Sequence, residues 1–261
     1  MSVNTMHVVP WIPHLFVASL LVVVPIVEAR YDRRLKQFTS PERRTAWYQI
    51  NIIVLCVLAV SAVALAYPVN IFTLTDGESV ALWLGQHPAV LLGASGLAVA
   101  YTSVTLGQGL KAAMNRDLRL RIARAMQSLR FALPVTTRER HWWILVSFSA
   151  GVCEEILYRG FVTHYFSGSL SAAIPLGTVG AWLTSSLFFG FAHAYQGVAG
   201  IVRTTLGGLV LGSIAILSGG LLLPIVLHIL FDLQMLWMYR PMADEPDTAA
   251  QLIKGCNPSV L

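Results

Sequence analysis

The stretch WWILVSFSAGVCEEILYRGFVTHY, residues 142–165, decides how this chain is read. A helix needs about 20 apolar residues to cross hydrocarbon, and this run is long enough. Its flanks are apolar or aromatic, yet its centre holds two adjacent acids and a base, Glu154, Glu155 and Arg159. A charge at mid-bilayer costs roughly 2.5–3.5 kcal/mol even on lenient insertion scales, so each such group needs a partner or a use. Glu155 and Arg159 are four apart, share a helix face and can neutralise each other. By itself that pair also fits an interhelical staple. Glu154 is turned about 100° from Glu155 and has no basic residue at helical spacing, which leaves it free for proton transfer.

Working outward, apolar blocks of similar length recur at 11–29, 46–68, 89–110, 173–195, 198–217 and 220–239. Together they predict an all-α fold, a polytopic transmembrane helical bundle of about seven spans. Six to eight stay open, because only Gln196 and Gly197 separate the fifth from the sixth, and Pro175 and Gly177 blur the start of the fifth. Composition agrees. Of 261 residues, 56% are hydrophobic and 12% charged, with a mean hydropathy of +0.65; soluble domains are about a quarter charged. The bundle is expected over 1–241, with its functional core at about 142–239 and a short polar tail at 242–261.

The formal charge of +5 does not point to nucleic acid, because 14 of the 18 Lys and Arg residues lie in two loops. One holds Arg30, Arg33, Arg34, Lys36, Arg43 and Arg44; the other holds Lys111, Arg116, Arg119, Arg121, Arg124, Arg130, Arg138 and Arg140. Basic loops between apolar spans mark cytoplasmic flanks. The loop 69–88 has Asp76 and Glu78 but no Lys or Arg. The N-terminus is therefore expected outside and the C-terminus inside, in a prokaryotic plasma membrane. Residues 111–133 interleave Arg with apolar residues, a pattern for a helix lying on the cytoplasmic surface. In the sixth span Gly208 and Gly212 form a small-xxx-small pattern for close helix packing. Cys56, Cys153 and Cys256 are widely separated and predict neither a disulfide framework nor a thiolate metal site.

Two more spans carry ionisable groups. The fifth ends in Phe188-Phe189-Gly190-Phe191-Ala192-His193, and the seventh contains His228 and, four residues on, Asp232. An acid at that spacing can fix the imidazole tautomer, hold it charged, or ligate a metal beside it. A shared site inside the bundle satisfies all three spans at once. His7, His14, His87, His141 and His164 fall at span edges or in loops and read as interfacial.

These three motifs, Glu154-Glu155-Ile156-Leu157-Tyr158-Arg159, Phe189-Gly190-Phe191-Ala192-His193 and His228-Ile229-Leu230-Phe231-Asp232, stand in the order EExxxR, FxxxH and HxxxN/D. In this the chain resembles the CAAX protease and bacteriocin-processing (CPBP, or Abi) family of intramembrane proteases over roughly 142–239. The resemblance implies an endopeptidase acting on a membrane-bound protein or lipidated peptide substrate in the lipid bilayer. It implies that Glu154 with His193 activates water, that Glu155 and Arg159 support the site, and that His228 and residue 232 stabilise the oxyanion. Prenyl-protein processing members typically have Asn at that last position. An ionised Asp232 only accepts hydrogen bonds, so it works either protonated or by keeping His228 charged. No cofactor is expected; zinc held by Glu154, His193 and His228 is the alternative. Other readings are a non-catalytic membrane scaffold or bacteriocin-immunity protein, and a transporter or ion channel. Against transport, the first three spans hold no matching polar set and no inverted repeat.

Overall fold

The computed structural model describes residues 11–27, 30, 40–74, 88–126, 129, 131–168, 170 and 176–239. Arg33, Arg34, Lys36, Asp76, Glu78, Arg130, His7, His87, Pro175, Cys256 and the expected tail at 242–261 lie outside the described residues. Helices occupy each predicted apolar block: α1 (Ile12–Val27), α2 (Pro41–Ala66), α3 (Pro88–Met114), α5 (Thr137–Glu154), α6 (Gly177–Ala192), α7 (Val198–Ser218) and α8 (Leu222–Met238). Among the described residues there is no strand, only an isolated bridge between Thr73 and Gly220. Among the described residues two helices, α2 and α7, are long and apolar enough to span a bilayer by themselves, with mean hydropathies of 2.4 and 1.7. Large apolar side chains stand outward along them; Ile53, Val57 and Val60 of α2 are 62, 59 and 69% exposed. Such a belt is tolerated where the solvent is lipid. The chain is an integral membrane protein.

Between α3 and α5 the surface helix is shorter than predicted. It is α4 (Arg116–Ala125), opened by the Asn115 side chain accepting from Leu118 N at 3.0 Å, and it buries none of its residues. After it the chain turns inward, and Phe131, Ala132 and Leu133 are buried. Phe131 and Ala132 join Trp47 and Tyr48 of α2 in one apolar cluster, which takes their surface out of water.

α5 starts on a capping box in which Thr136 and Glu139 satisfy each other's backbone N–H groups. The Glu139 carboxylate also receives the Arg44 guanidinium at 2.7 Å, tying α5 to α2. α5 then runs on without a break through a π segment, Glu155–Val162, into a last α turn, Thr163–Ser167. A π turn shifts the backbone ladder by one residue and re-aims the side chains after it. Tyr158 O within it also accepts the Ser185 hydroxyl at 2.6 Å and the Thr163 hydroxyl at 3.0 Å.

Two of the packed helix pairs run antiparallel. Contacts between Gly208 and Ser186 and between Gly212 and Trp182 run α7 antiparallel to α6. A Cβ on Gly208 would sit 3.2 Å from Ser186 Cα, so the expected small-residue pattern is what lets these two backbones close up. Arg140 pairs with Leu236 O, and Trp143 Nε1 donates to Asp232 O at 3.0 Å, setting α8 antiparallel to α5. α2 instead runs parallel to α5, from Arg44 beside Glu139 to Cys56 beside Cys153.

Candidate active site

The four helices α5, α6, α7 and α8 bring together the polar groups that the sequence places on separate spans. Arg159 Nη1 meets Glu155 Oε1 at 2.7 Å, as the spacing of four predicts, and both side chains are almost wholly buried. The same carboxylate oxygen accepts from His228 Nδ1 at 2.8 Å. Arg159 also donates to Gly208 O of α7 at 3.3 Å and lies 4.4 Å over the Phe189 ring. A buried guanidinium needs several acceptors and a polarisable face, and here it takes them from three helices.

Glu154 departs from its expected isolation. Its Oε2 lies 3.7 Å from His228 Nε2, so its basic neighbour comes from α8 and not from its own helix. Helical spacing could not reveal that contact, because it depends on how α5 and α8 pack. The two adjacent glutamates thus flank one imidazole, Glu155 at Nδ1 and Glu154 toward Nε2. Oε2 of Glu154 and Oε2 of Glu155 are buried without a hydrogen-bond partner. At 3.7 Å the Glu154 separation exceeds a direct hydrogen bond and suits a bridging water.

Asp232 differs as well. Its Oδ2 is 3.9 Å from His228 Nε2, too far to fix the ring, so the group that orients His228 is Glu155 and not its i+4 neighbour. With Nδ1 donating to a carboxylate, Nε2 of His228 is the nitrogen turned to Glu154 and Asp232.

His193 ends α6, and its Nδ1 donates to Phe189 O at 2.8 Å. A carbonyl only accepts, so the neutral ring keeps its lone pair on Nε2. No hydrogen bond or ion pair links His193 to Glu154. The connection runs through Phe189, whose ring centre is 4.8 Å from that of His193 and 5.7 Å from that of His228. The antiparallel register of α6 against α5 sets the depth of His193: Ser185 lies level with Tyr158, and His193 comes two turns further toward the start of α5.

The sequence reading named Phe189 only as a motif letter, although its spacing of four from His193 puts both on one helix face. Tyr195 was missed. Its ring stacks on His193 with centroids 6.0 Å apart, and its hydroxyl accepts from Gln196 Nε2 at 3.2 Å. Gln196 Oε1 in turn accepts from Arg203 at 2.8 Å. Nothing in a single sequence marks such a turn. His164, read as interfacial, is 3% exposed, with Nδ1 on Gly160 O, because the π segment turns that side chain inward. His14 bonds the Tyr165 hydroxyl.

Gly151 allows α5 and α8 to approach. A Cβ there would overlap the Ile229 side chain and lie 3.0 Å from Ile229 N. Gly151→Val is expected to destabilise the fold by about 1–3 kcal/mol, as overpacking does, and to lower activity by parting Glu155 from His228. Thermal unfolding in detergent beside a cleavage assay checks both effects.

As for zinc, no three His, Cys, Asp or Glu side chains converge as a metal cage among the described residues. His228 is held at Nδ1 by Glu155 and His193 at Nδ1 by a carbonyl, which leaves Nε2 of each ring as the nitrogen that could take a metal.

Residues 137–234 match the family model described as type II CAAX prenyl endopeptidase, Rce1-like. Over these residues the chain is similar to the CAAX protease (CPBP) family. The match begins at the capped start of α5 and ends two residues beyond Asp232, so it takes in every residue of this cluster. CAAX proteases are membrane peptidases that act on membrane-associated protein substrates. No curated protein and no solved structure matches the chain.

Proposed function

We propose that this chain hydrolyses a peptide bond of a membrane-bound protein substrate with a water activated by Glu154 and His193. The observation that carries the reading is the Glu154 carboxylate, whose Oε2 is buried, unpartnered and 3.7 Å from His228 Nε2, inside the segment matched to a peptidase family. A general base must reach its proton directly or through one water, and this carboxylate is positioned for that. Glu154 takes a proton from the water as its oxygen attacks the carbonyl carbon. The oxyanion then accepts a hydrogen bond from His228 Nε2, with Glu155 and Asp232 favouring the ring's charged form. His193, with Nε2 free to accept, shuttles the proton that the leaving amine needs. Glu155 and Arg159 hold His228 in place.

Seven crossings, with the N-terminus outside and the basic loops in the cytoplasm of a prokaryote, complete the proposal. The antiparallel packing of α7 on α6 and of α8 on α5 supports that count. The family match at 137–234 supports a protease core at about 142–239.

The test is cleavage of a lipidated membrane peptide in proteoliposomes, comparing wild type, Glu154→Ala and His193→Ala, each with and without phenanthroline. The expected result is wild-type cleavage indifferent to chelator and loss of cleavage in both variants. Variants that cleave like wild type sink the reading. Reversible loss of wild-type activity on chelation would put the metal reading in its place.

A further inference from the structure

The proposed chemistry uses no cysteine, yet two of the three cysteines meet. Cys56 lies midway along α2 and Cys153 stands on α5 directly before Glu154, with their sulfurs 3.9 Å apart. The sequence predicted no such pairing, because a separation of 97 residues says nothing about two helices running in parallel. The register is not accidental. The ion pair of Arg44 with Glu139, 2.7 Å long, pins the same two helices at their starts. Cys56 is exposed on the apolar face of α2, beside Val57, whereas Cys153 is buried. A disulfide bond is about 2.05 Å long, so closure takes a rotation of side chains and a small approach of the two helices. Cys153 faces α2, while Gly151 and Glu155 face α8. Drawing Cys153 toward α2 therefore pulls α5 away from the helix that carries His228, at the point where its π segment begins.

We propose that Cys56 and Cys153 form a reversible disulfide site, closed by a hydroperoxide arriving through the bilayer, and that closure slows the reaction at Glu154. The effect on cleavage rests on the hydrolytic reading; the disulfide does not. The Cys56 sulfur attacks the terminal peroxide oxygen, the O–O bond breaks, and the alcohol leaves with the thiol proton. Cys56 is then a sulfenic acid. The Cys153 sulfur attacks it, the S–S bond forms, the S–O bond breaks, and hydroxide departs with the Cys153 proton as water. Two thiols lose two electrons, and one hydroperoxide becomes one alcohol and one water.

The experiment uses the full chain carrying Cys256→Ser in proteoliposomes, treated with cumene hydroperoxide. After acid quench and denaturation in SDS, free thiols are tagged with a maleimide polymer. Expected are loss of both tags in a monomeric band and a fall in cleavage, with tags and cleavage restored by dithiothreitol. Cleavage by Cys56→Ser should not respond to peroxide. Persistence of both tags, loss of the Cys56 tag alone, or a crosslinked dimer overturns the site. A closed disulfide with unchanged cleavage overturns the coupling. If the reduced chain cleaves nothing, the hydrolytic reading falls, and the coupling with it, while the tag count still decides the disulfide.

Discussion

Glu154→Gln is expected to lower cleavage of a membrane-bound substrate by about 10²–10⁴-fold, the usual contribution of a positioned general base, while the protein still folds. Glutamine has the same shape but an amide that cannot take a proton from water. Folding is expected to survive because Oε2 of Glu154 accepts no hydrogen bond and His228, 3.7 Å away, is still held by Glu155. A neutral amide also removes the desolvation cost of the carboxylate, which offsets the lost attraction to His228. Glu154→Asp keeps the carboxylate but withdraws it by one methylene, and should fall between the two. The measurement is kcat/KM in proteoliposomes alongside unfolding in detergent. A glutamine variant that is folded and fully active would remove Glu154 from the chemistry. One that is inactive because it fails to fold would make Glu154 structural.

Arg159→Met has the largest expected effect on stability. The Glu155 side chain is wholly inaccessible, and its two polar contacts are Arg159 at 2.7 Å and His228 at 2.8 Å. Breaking a buried pair by removing one partner costs about 3–5 kcal/mol; here His228 is the one compensating contact left to the buried Glu155 carboxylate. The methionine also gives up the hydrogen bond to Gly208 O and the cationic contact with Phe189. The double change Arg159→Met with Glu155→Gln removes both charges and should recover much of that loss. Unfolding of the two single variants and the double variant in an SDS titration forms a cycle that isolates the pair. If the double variant is as unstable as the sum of the singles, the interaction is not the ion pair described. Activity is not expected to return with stability, because His228 then loses the carboxylate that orients it.

What could be read beforehand was whatever depends on local spacing. The apolar blocks predict the helices, because crossing hydrocarbon obliges each segment to satisfy its own backbone hydrogen bonds. The pairing of Glu155 with Arg159 follows from the helix repeat. The close approach of α6 and α7 follows from Gly208 and Gly212. The surface helix before α5 was visible too, but its length was overdrawn, since burial of Phe131 and Ala132 depends on what α2 offers them.

Contacts between helices were not legible in the same way. Asp232 was assigned to His228 on spacing, whereas Glu155 from another helix does the orienting. Glu154 was taken as unpaired because its own helix has no cation for it, while α8 supplies His228. Tyr195 on His193, and Cys56 beside Cys153, depend on how turns and parallel helices are registered. The sequence by itself determined a membrane-embedded helical chain and which six side chains are costly enough in hydrocarbon to need one another. Only the tertiary structure decided which meets which, because partner choice between helices is set by packing register, and that register is carried by glycines, a π segment and a buried ion pair remote from the cluster itself.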